Sequence, residues 1–326
     1  MNTKKNMKER FGKLNHYLNT KATNMSRIHK VLMVAESLFG RVFLGVTVED
    51  YFQYHFYEKN WYGRGLYYTY GKRQKLTKKC NSLAGATLFT DKALFAKRFK
   101  DYTGRAILDM RTVSKEEFME VASRNISLFV KPVDGSWGLG TSIENVMGGK
   151  AIALFEKLKG QAVLVEEYIE QCEDLAKFNS TSTNSLRVVT FVNSTGEPVL
   201  MSGTVLRVGR QGKVADNFHH QGIAAFVDNT TGIVCTRGVD KEGNHYVVHP
   251  DSKVPIVGFK IPMWDQIKEK VLLAAHVCPE VKYVGWDVTV TKDNKVVFIE
   301  GNDKADPDVA QMSLGEGLWA EYRDMM

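Results

Sequence analysis

The sequence predicts an α+β protein, with antiparallel sheets preceded by a mostly helical segment. Two observations carry this. Residues 1 to about 75 place apolar side chains at three-to-four spacing, as in KERFGKLNHYLNT and SRIHKVLMVAESLFGRVFL, the period of an amphipathic helix. From residue 127 onward the texture changes to short apolar or alternating runs, several turned by Gly/Asn/Asp loops and interrupted by single helical stretches. Strand pairs alternating with single helices point to antiparallel sheets in subdomains rather than one parallel sheet.

Taken in order, the aromatic-rich stretch YFQYHFYEKNWYGRGLYYTYGKR follows the first two helices. Its rings either pack helices together, the commoner case, or form a stacking surface for bases or sugars. CNSLAGATLFTDK reads as a polar turn, and helical patterns run through 91–103 and 114–124. The expected strands are SLFVKP, TSIENV, AVLVEEYI, LRVVTFV, PVLMSGTVLRV, GIAAFVD, GWDVTVT and KVVFIEGN. GKAIALFEKLKG and PMWDQIKEKVLLAAHV are the intervening helices.

The chain has 326 residues, 44% hydrophobic and 25% charged, enough for a core shared by two or three subdomains. Its net charge is +7, and the first thirty residues hold eight Lys/Arg against the single acid Glu9. Such an arm serves nucleic acid, an anionic membrane surface or plain solubility. No zinc-finger spacing or aromatic-basic RNA motif is present, so nucleic acid is not expected, and a peripheral contact through the basic N-terminus stays open. Four scattered cysteines and the lack of an apolar signal core suggest reduced thiols in a cytoplasmic protein. VLMVAESLFGRVFLGVTV is interrupted by Glu36 and Arg41 and is marginal for a bilayer. It reads as an amphipathic helix packed on the core, not a transmembrane segment.

Three stretches carry chemistry. In FVKPVDGSWGLGTSIENV, Gly135, Gly138 and Gly140 let backbone approach a ligand, and Lys131 ends the preceding strand. The chain resumes as a strand, so neither the Walker loop nor the dinucleotide fingerprint fits. A glycine-tipped hairpin able to close over phosphates remains, against a plain turn. NSLRVVTFVN sets Arg187 in a strand built for burial, where a guanidinium needs a partner. Near the C-terminus, GWDVTV and VVFIEGND read as adjacent strands with Asp287 and Glu300 thirteen residues apart and Asn302 two beyond. Two carboxylates and an amide are hard oxygen ligands of the kind Mg²⁺ prefers. The competing reading is an edge strand with solvated acids. In VLVEEYIEQ, a strand ends in two acids and an apolar pair, a place where backbone groups can meet a base edge. Glu173 and Asp174 follow within reach of a ribose.

In this order, TDKALFAKRF, FVKPVDGSWGLG, VEEYIEQ, NSLRVVT, LRVGRQGKVADNFHHQGI, GWDV and FIEGN resemble the ATP-grasp superfamily, closest to its sugar-transfer-associated group, over roughly residues 40 to 320. The resemblance implies the ATP-grasp fold, two α+β subdomains clasping ATP, here 76–168 and 169–326, behind a helical segment 1–75 suited to acceptor or partner recognition. It implies ATP and Mg²⁺ (Mn²⁺ as an alternative) as cofactors. Lys92 and Lys131 resemble the paired phosphate lysines, and Gly135, Ser136, Gly138 and Gly140 the lid. Glu166, Glu167 and Ile169 occupy the adenine hinge, with Asp174 toward the ribose. Arg187 and Arg207 resemble the arginines facing the γ-phosphate, Asn217 an amide beside it, and Asp287, Glu300 and Asn302 the metal ligands. The glycine pair usual after the D-N-F motif is Gln221-Gly222 here.

The implied activity is ADP-forming ligation of a small-molecule carboxylate to an amine or thiol acceptor through an acyl phosphate, in glycan or cell-envelope chemistry. The alternatives are an ATP-grasp phosphotransferase acting on a hydroxyl or sugar, and a non-catalytic nucleotide-binding scaffold. His219 and His220 beside Asn217 are equally suited to a base on the incoming amine and to a structural role.

Overall fold

A computed structural model of the chain describes residues 2–134, 140–212, 218 and 222–325, with side chains from residue 11 onward. Eleven strands among the described residues form two antiparallel sheets. The smaller contains β1 (Ile107–Asp109), β2 (Ser127–Pro132), β3 (Ser142–Asn145) and β4 (Val163–Glu167), in the order β1-β4-β2-β3. The larger contains β5 (Ser185–Val192), β6 (Pro198–Val208), β7 (Ile223–Phe226), β8 (Gly238–Val239), β9 (His245–Tyr246), β10 (Tyr283–Val290) and β11 (Val296–Asn302). Their order is β11-β10-β5-β6-β7-β8-β9.

Helices bury one face of the small sheet and cover both faces of the central strands of the large one. The helices Lys115–Ser123 and Lys150–Leu158 place Phe118, Val121, Leu154 and Phe155 on Leu128, Val130 and Val165 of the small sheet. On the large sheet, Ile267, Val271 and Ala274 from the helix Trp264–Ala275 pack against the apolar faces of β5, β10 and β11. Phe89, Phe95 and Phe99 join this same core, with the Phe99 and Trp286 rings 5.4 Å apart. Residues 83–103 therefore lean on the large sheet although they precede the small one in sequence.

All eight expected strands form, and β1, β8 and β9 were missed because two or three residues are too few to show a period. CNSLAGATLFTDK is not simply a turn. It holds the helix Leu83–Thr90, N-capped by Ser82, whose hydroxyl accepts from Gly85 N at 3.0 Å. Its small and polar residues conceal the helical period, and burial of Phe89 against the large sheet decides the conformation. The rings of the aromatic stretch mostly pack: Tyr51, Phe52, Tyr54, Phe56 and Tyr67 are buried together. The helix Arg27–Leu44 forms, but it turns Met33, Ser37 and Gly40 inward and leaves most of its large apolar side chains outside. A Cβ added at Gly40 would meet Val46 at 3.6 Å, so the helix lies close to the chain at this point. No helix among the described residues is long and apolar enough to cross a membrane.

Two local devices prepare the cavity between the sheets. The first is a bulge. Asp287 pairs with Glu300 but Val288 pairs with Phe298, leaving Ile299 as the extra residue on β11. Strict alternation would put Phe298 and Glu300 on one face. The bulge instead sends Phe298 to the core and Glu300 and Asn302 to the opposite, cavity side. The intervening Gly301 is pressed against Phe89 and Phe95, where a Cβ would come within 2.8 Å of both rings. The second is a cap. Asp91 accepts from Ala93 N at 2.8 Å and Leu94 N at 3.1 Å, starting the helix Lys92–Arg98 and fixing where Lys92 leaves the backbone. Asp91→Ala is expected to lower stability by about 1 kcal/mol, as for other lost N-caps. Urea denaturation of the variant checks this.

Candidate active site

A cavity of about 1700 Å³ lies between the sheets and the N-terminal helices. Single-ligand pockets run to about 300–1,000 Å³, so this one has room for a second substrate. Ten of the residues singled out from the sequence line it: Lys92, Lys131, Glu166, Glu167, Ile169, Arg187, Arg207, Asp287, Glu300 and Asn302. Asp174 does not. It sits on the short helix Glu173–Ala176, more than half exposed, 2.8 Å from Lys177. Gly140, at φ +76°, ends the hairpin next to Thr141, which does line the cavity. Gly135, Ser136, Gly138, Asn217, His219, His220 and Gln221 lie outside the described residues.

The small sheet contributes one buried ionic knot. Lys131 Nζ lies 2.5 Å from Glu166 Oε1, and Arg105 Nη2 donates to Glu166 Oε2 at 2.6 Å. Arg105 Nη1 also donates to the Phe298 carbonyl of β11 at 2.7 Å, tying the two sheets together across the cavity floor. Burial would raise the Glu166 carboxyl, but Arg105 and Lys131 outweigh it and hold the group at about 2. A depressed carboxyl of this kind stabilises the fold above its ordinary value of 4.5, and that contribution is lost as pH falls from there toward 2. The neighbouring Glu167 is spent on structure, accepting from Ala106 N at 2.8 Å and Asn125 Nδ2 at 3.2 Å.

The large sheet contributes two arginines on one carboxylate. Arg187 and Asp287 face each other across β5 and β10. The Arg187 guanidinium grips Asp287 through Nε and through Nη2, the latter at 3.0 Å. Arg207 Nη1 donates to the same Oδ2 at 3.0 Å. Here is the partner that a guanidinium on a buried strand requires. Burial alone would raise the Asp287 carboxyl; the two arginines reverse this and hold it below the usual range. Glu300 stands opposite Asp287 in the β10–β11 register, with Asn302 Nδ2 3.5 Å from its Oε1. Burial lowers the Lys92 amine, Glu300 pulls it back up, and the nearby Lys131 lowers it further. Glu300, Asn302 and Asp287 are all hard oxygen donors, which fit Mg²⁺ in kind. Among the described residues, no three His, Cys, Asp or Glu side chains converge as a ready-made cage.

The far end of the cavity was not legible in advance. It is lined by Lys13, His16, Tyr17, Arg41, Asp50 and Arg73 from the N-terminal helices and by Asp306 and Asp308. Arg73 is hydrogen-bonded to Asp306. Asp306, open to the cavity but ringed by protein, is pushed up to about 7 by burial and then by Asp308 beside it. Asp50 is raised to about 6, chiefly by burial. GNDKADPD showed three acids close in sequence, but nothing there pointed to Asp50 or Arg73, which meet Asp306 only through the fold.

Solved structures similar to this chain include the D-alanine-D-alanine ligase from Coxiella burnetii, at 12% identity and TM-score 0.44, covering 75% of this chain and 59% of that one. The VanG D-Ala:D-Ser ligase from Enterococcus faecalis gives 12%, 0.45, 74% and 61%. N5-carboxyaminoimidazole ribonucleotide synthetase from Thermotoga maritima gives 12%, 0.44, 79% and 57%. The chain thus matches about 60% of the length of these proteins. No curated protein matches it. The family model described as sugar-transfer associated ATP-grasp matches residues 71–325, which contain both sheets and the ionic groups between them. This chain, with its ATP-grasp fold, belongs to the sugar-transfer-associated ATP-grasp family.

Proposed function

We propose that the chain is an ATP- and Mg²⁺-dependent ligase joining a small-molecule carboxylate to an amine or thiol, with release of ADP and passage through an acyl phosphate, in glycan or cell-envelope biosynthesis. In this reading residues 76–168 and 169–326 are the two clasping subdomains, and 1–75 recognises the acceptor. The observation that carries it is one cavity that gathers Lys92, Lys131, Arg187 and Arg207 beside Glu300 and Asn302 and leaves room for a second ligand toward Asp50, Arg73, Asp306 and Asp308.

These lysines and arginines suit a triphosphate. Lys131 and Lys92 hold its oxygens, while the contact with Glu166 keeps Lys131 aimed. The glycine-rich segment 135–140 would take the role of covering the phosphates, and the backbone beyond β4, at Glu167 and Ile169, takes the adenine edge. Mg²⁺, held by Glu300 and Asn302 with Asp287 adjoining, would neutralise phosphate charge. Arg187 and Arg207, pre-set by Asp287, face the phosphoryl group while a carboxylate oxygen bonds to its phosphorus and the bond to ADP breaks. Preorganised donors of this kind act where charge develops. Asn217 is a further neutral donor in this proposal. An amine then displaces the phosphate from the acyl carbon, and in this reading Asp306, which lines the same cavity and is raised by burial and by Asp308, takes its proton.

The same raised carboxyl favours a second reading. A phosphotransferase needs a base beside its hydroxyl acceptor, and Asp306 or Asp50 answers that description. Both readings require ATP at Lys131. Lys131→Ala should weaken ATP binding by about 10–100-fold, the worth of one charged hydrogen bond, with Glu166 still partnered by Arg105. Calorimetric titration of the folded variant tests it; unchanged affinity would contradict the phosphate role.

A further inference from the structure

The helix Arg27–Leu44 carries its apolar side outward. At 100° per residue, Leu38, Val31, Val42, Ala35, Ile28, Phe39, Leu32 and Phe43 fill one uninterrupted arc of about 140°, all of them exposed, with Val42 76% and Ile28 74% accessible. The inward face is the more polar one, seated on Ser37, Gly40 and Met33. The patch continues onto Trp61, whose ring lies 5.3 Å from Phe39, and onto the 79% exposed Tyr62. Contiguous exposed apolar surface of this kind marks a docking site.

Charge selects the occupant. One border of the arc is Lys30, Arg41 and Arg27, and the first thirty residues carry eight Lys/Arg against one acid. A second copy of this chain would bring that cationic border against itself. A coiled-coil partner would need only a narrow seam, whereas this arc is wide and rich in Phe, Leu and Trp. A wide apolar face with a basic edge and aromatic side chains is the composition of a helix lying in a membrane interface. We infer that this face docks on a membrane surface bearing anionic headgroups. Arg41 both borders the face and lines the cavity, so docking sets the end of the cavity formed by the N-terminal helices beside the bilayer. The inference stands apart from the ligase reading.

The test is sedimentation of the full chain with vesicles of phosphatidylcholine alone and of phosphatidylcholine with phosphatidylglycerol. The wild type should pellet with the anionic vesicles, less so at raised salt. Val31→Ser, Phe39→Ser and Phe43→Ser together should weaken binding by about tenfold or more, with melting temperature and ATP affinity unchanged, since none of the three lines the cavity. Arg27→Gln with Lys30→Gln should remove the salt-sensitive part. A wild type that stays in the supernatant, or binds both vesicles equally, overturns the inference. So does a wild-type dimer in light scattering that the triple variant abolishes.

Discussion

Asp287→Ala is expected to cut turnover by about 10³-fold and to lower stability by about 3–5 kcal/mol. The carboxylate is 4% exposed and binds two guanidiniums, Arg187 and Arg207, themselves 18% and 17% exposed. Removing it takes from two neighbouring guanidiniums the carboxylate they share, which is the costly way to break a buried ionic group. Turnover falls for a related reason, because the arginines lose the support that aims them at a phosphoryl group. Asp287→Asn keeps the shape and one acceptor, so it should lose less stability while remaining nearly inactive. Denaturant titration and ADP release, measured on both variants, separate the two effects. An alanine variant of parental stability would show that the arginines find other support.

Strand texture carried most of the fold. LRVVTFV and GWDVTV are long enough, and apolar enough, that burial on both faces could be read directly. The exceptions have physical causes. Phe89 stabilises the helix Leu83–Thr90 through contacts with a sheet some two hundred residues away, which no local period reports. Whether Arg27–Leu44 packs or faces out depends on which side its neighbours occupy, and an amphipathic pattern shows only that two sides exist. In the site, Lys131, Arg187, Asp287 and Glu300 stood out because a charge on a buried strand demands a reason. Arg105, which joins Glu166 to the Phe298 carbonyl, lies in an unremarkable loop sequence and emerges only when two sheets meet. Glu300 and Asn302, two apart on β11, share the cavity side, but the bulge at Ile299 that turns both from the core leaves no mark in the sequence.

Arg207→Ala should reduce turnover by about 10²–10³-fold, the usual effect of removing one donor to a developing charge, while ATP affinity changes far less. The difference from Lys131 follows from where each sits. Lys131 lies on β2 and pairs with Glu166, whereas Arg207, on β6, shares Asp287 with Arg187. Asp287 stays ionised by Arg187 alone, so the variant should fold. Equal losses in ATP affinity and turnover would assign Arg207 to binding instead.

Both variants probe machinery that a ligase and a phosphotransferase would share; the transferred group distinguishes them. The most direct measurement supplies ATP, Mg²⁺ and a panel of carboxylates with hydroxylamine in place of the natural acceptor. A carboxylate that stimulates ATP consumption should yield its hydroxamate, with ADP and phosphate in equal amounts, and Arg207→Ala should suppress all three together. A stable phosphorylated hydroxyl compound, with no hydroxamate from any stimulating carboxylate, would contradict the acyl-phosphate account and identify the chain as a phosphotransferase.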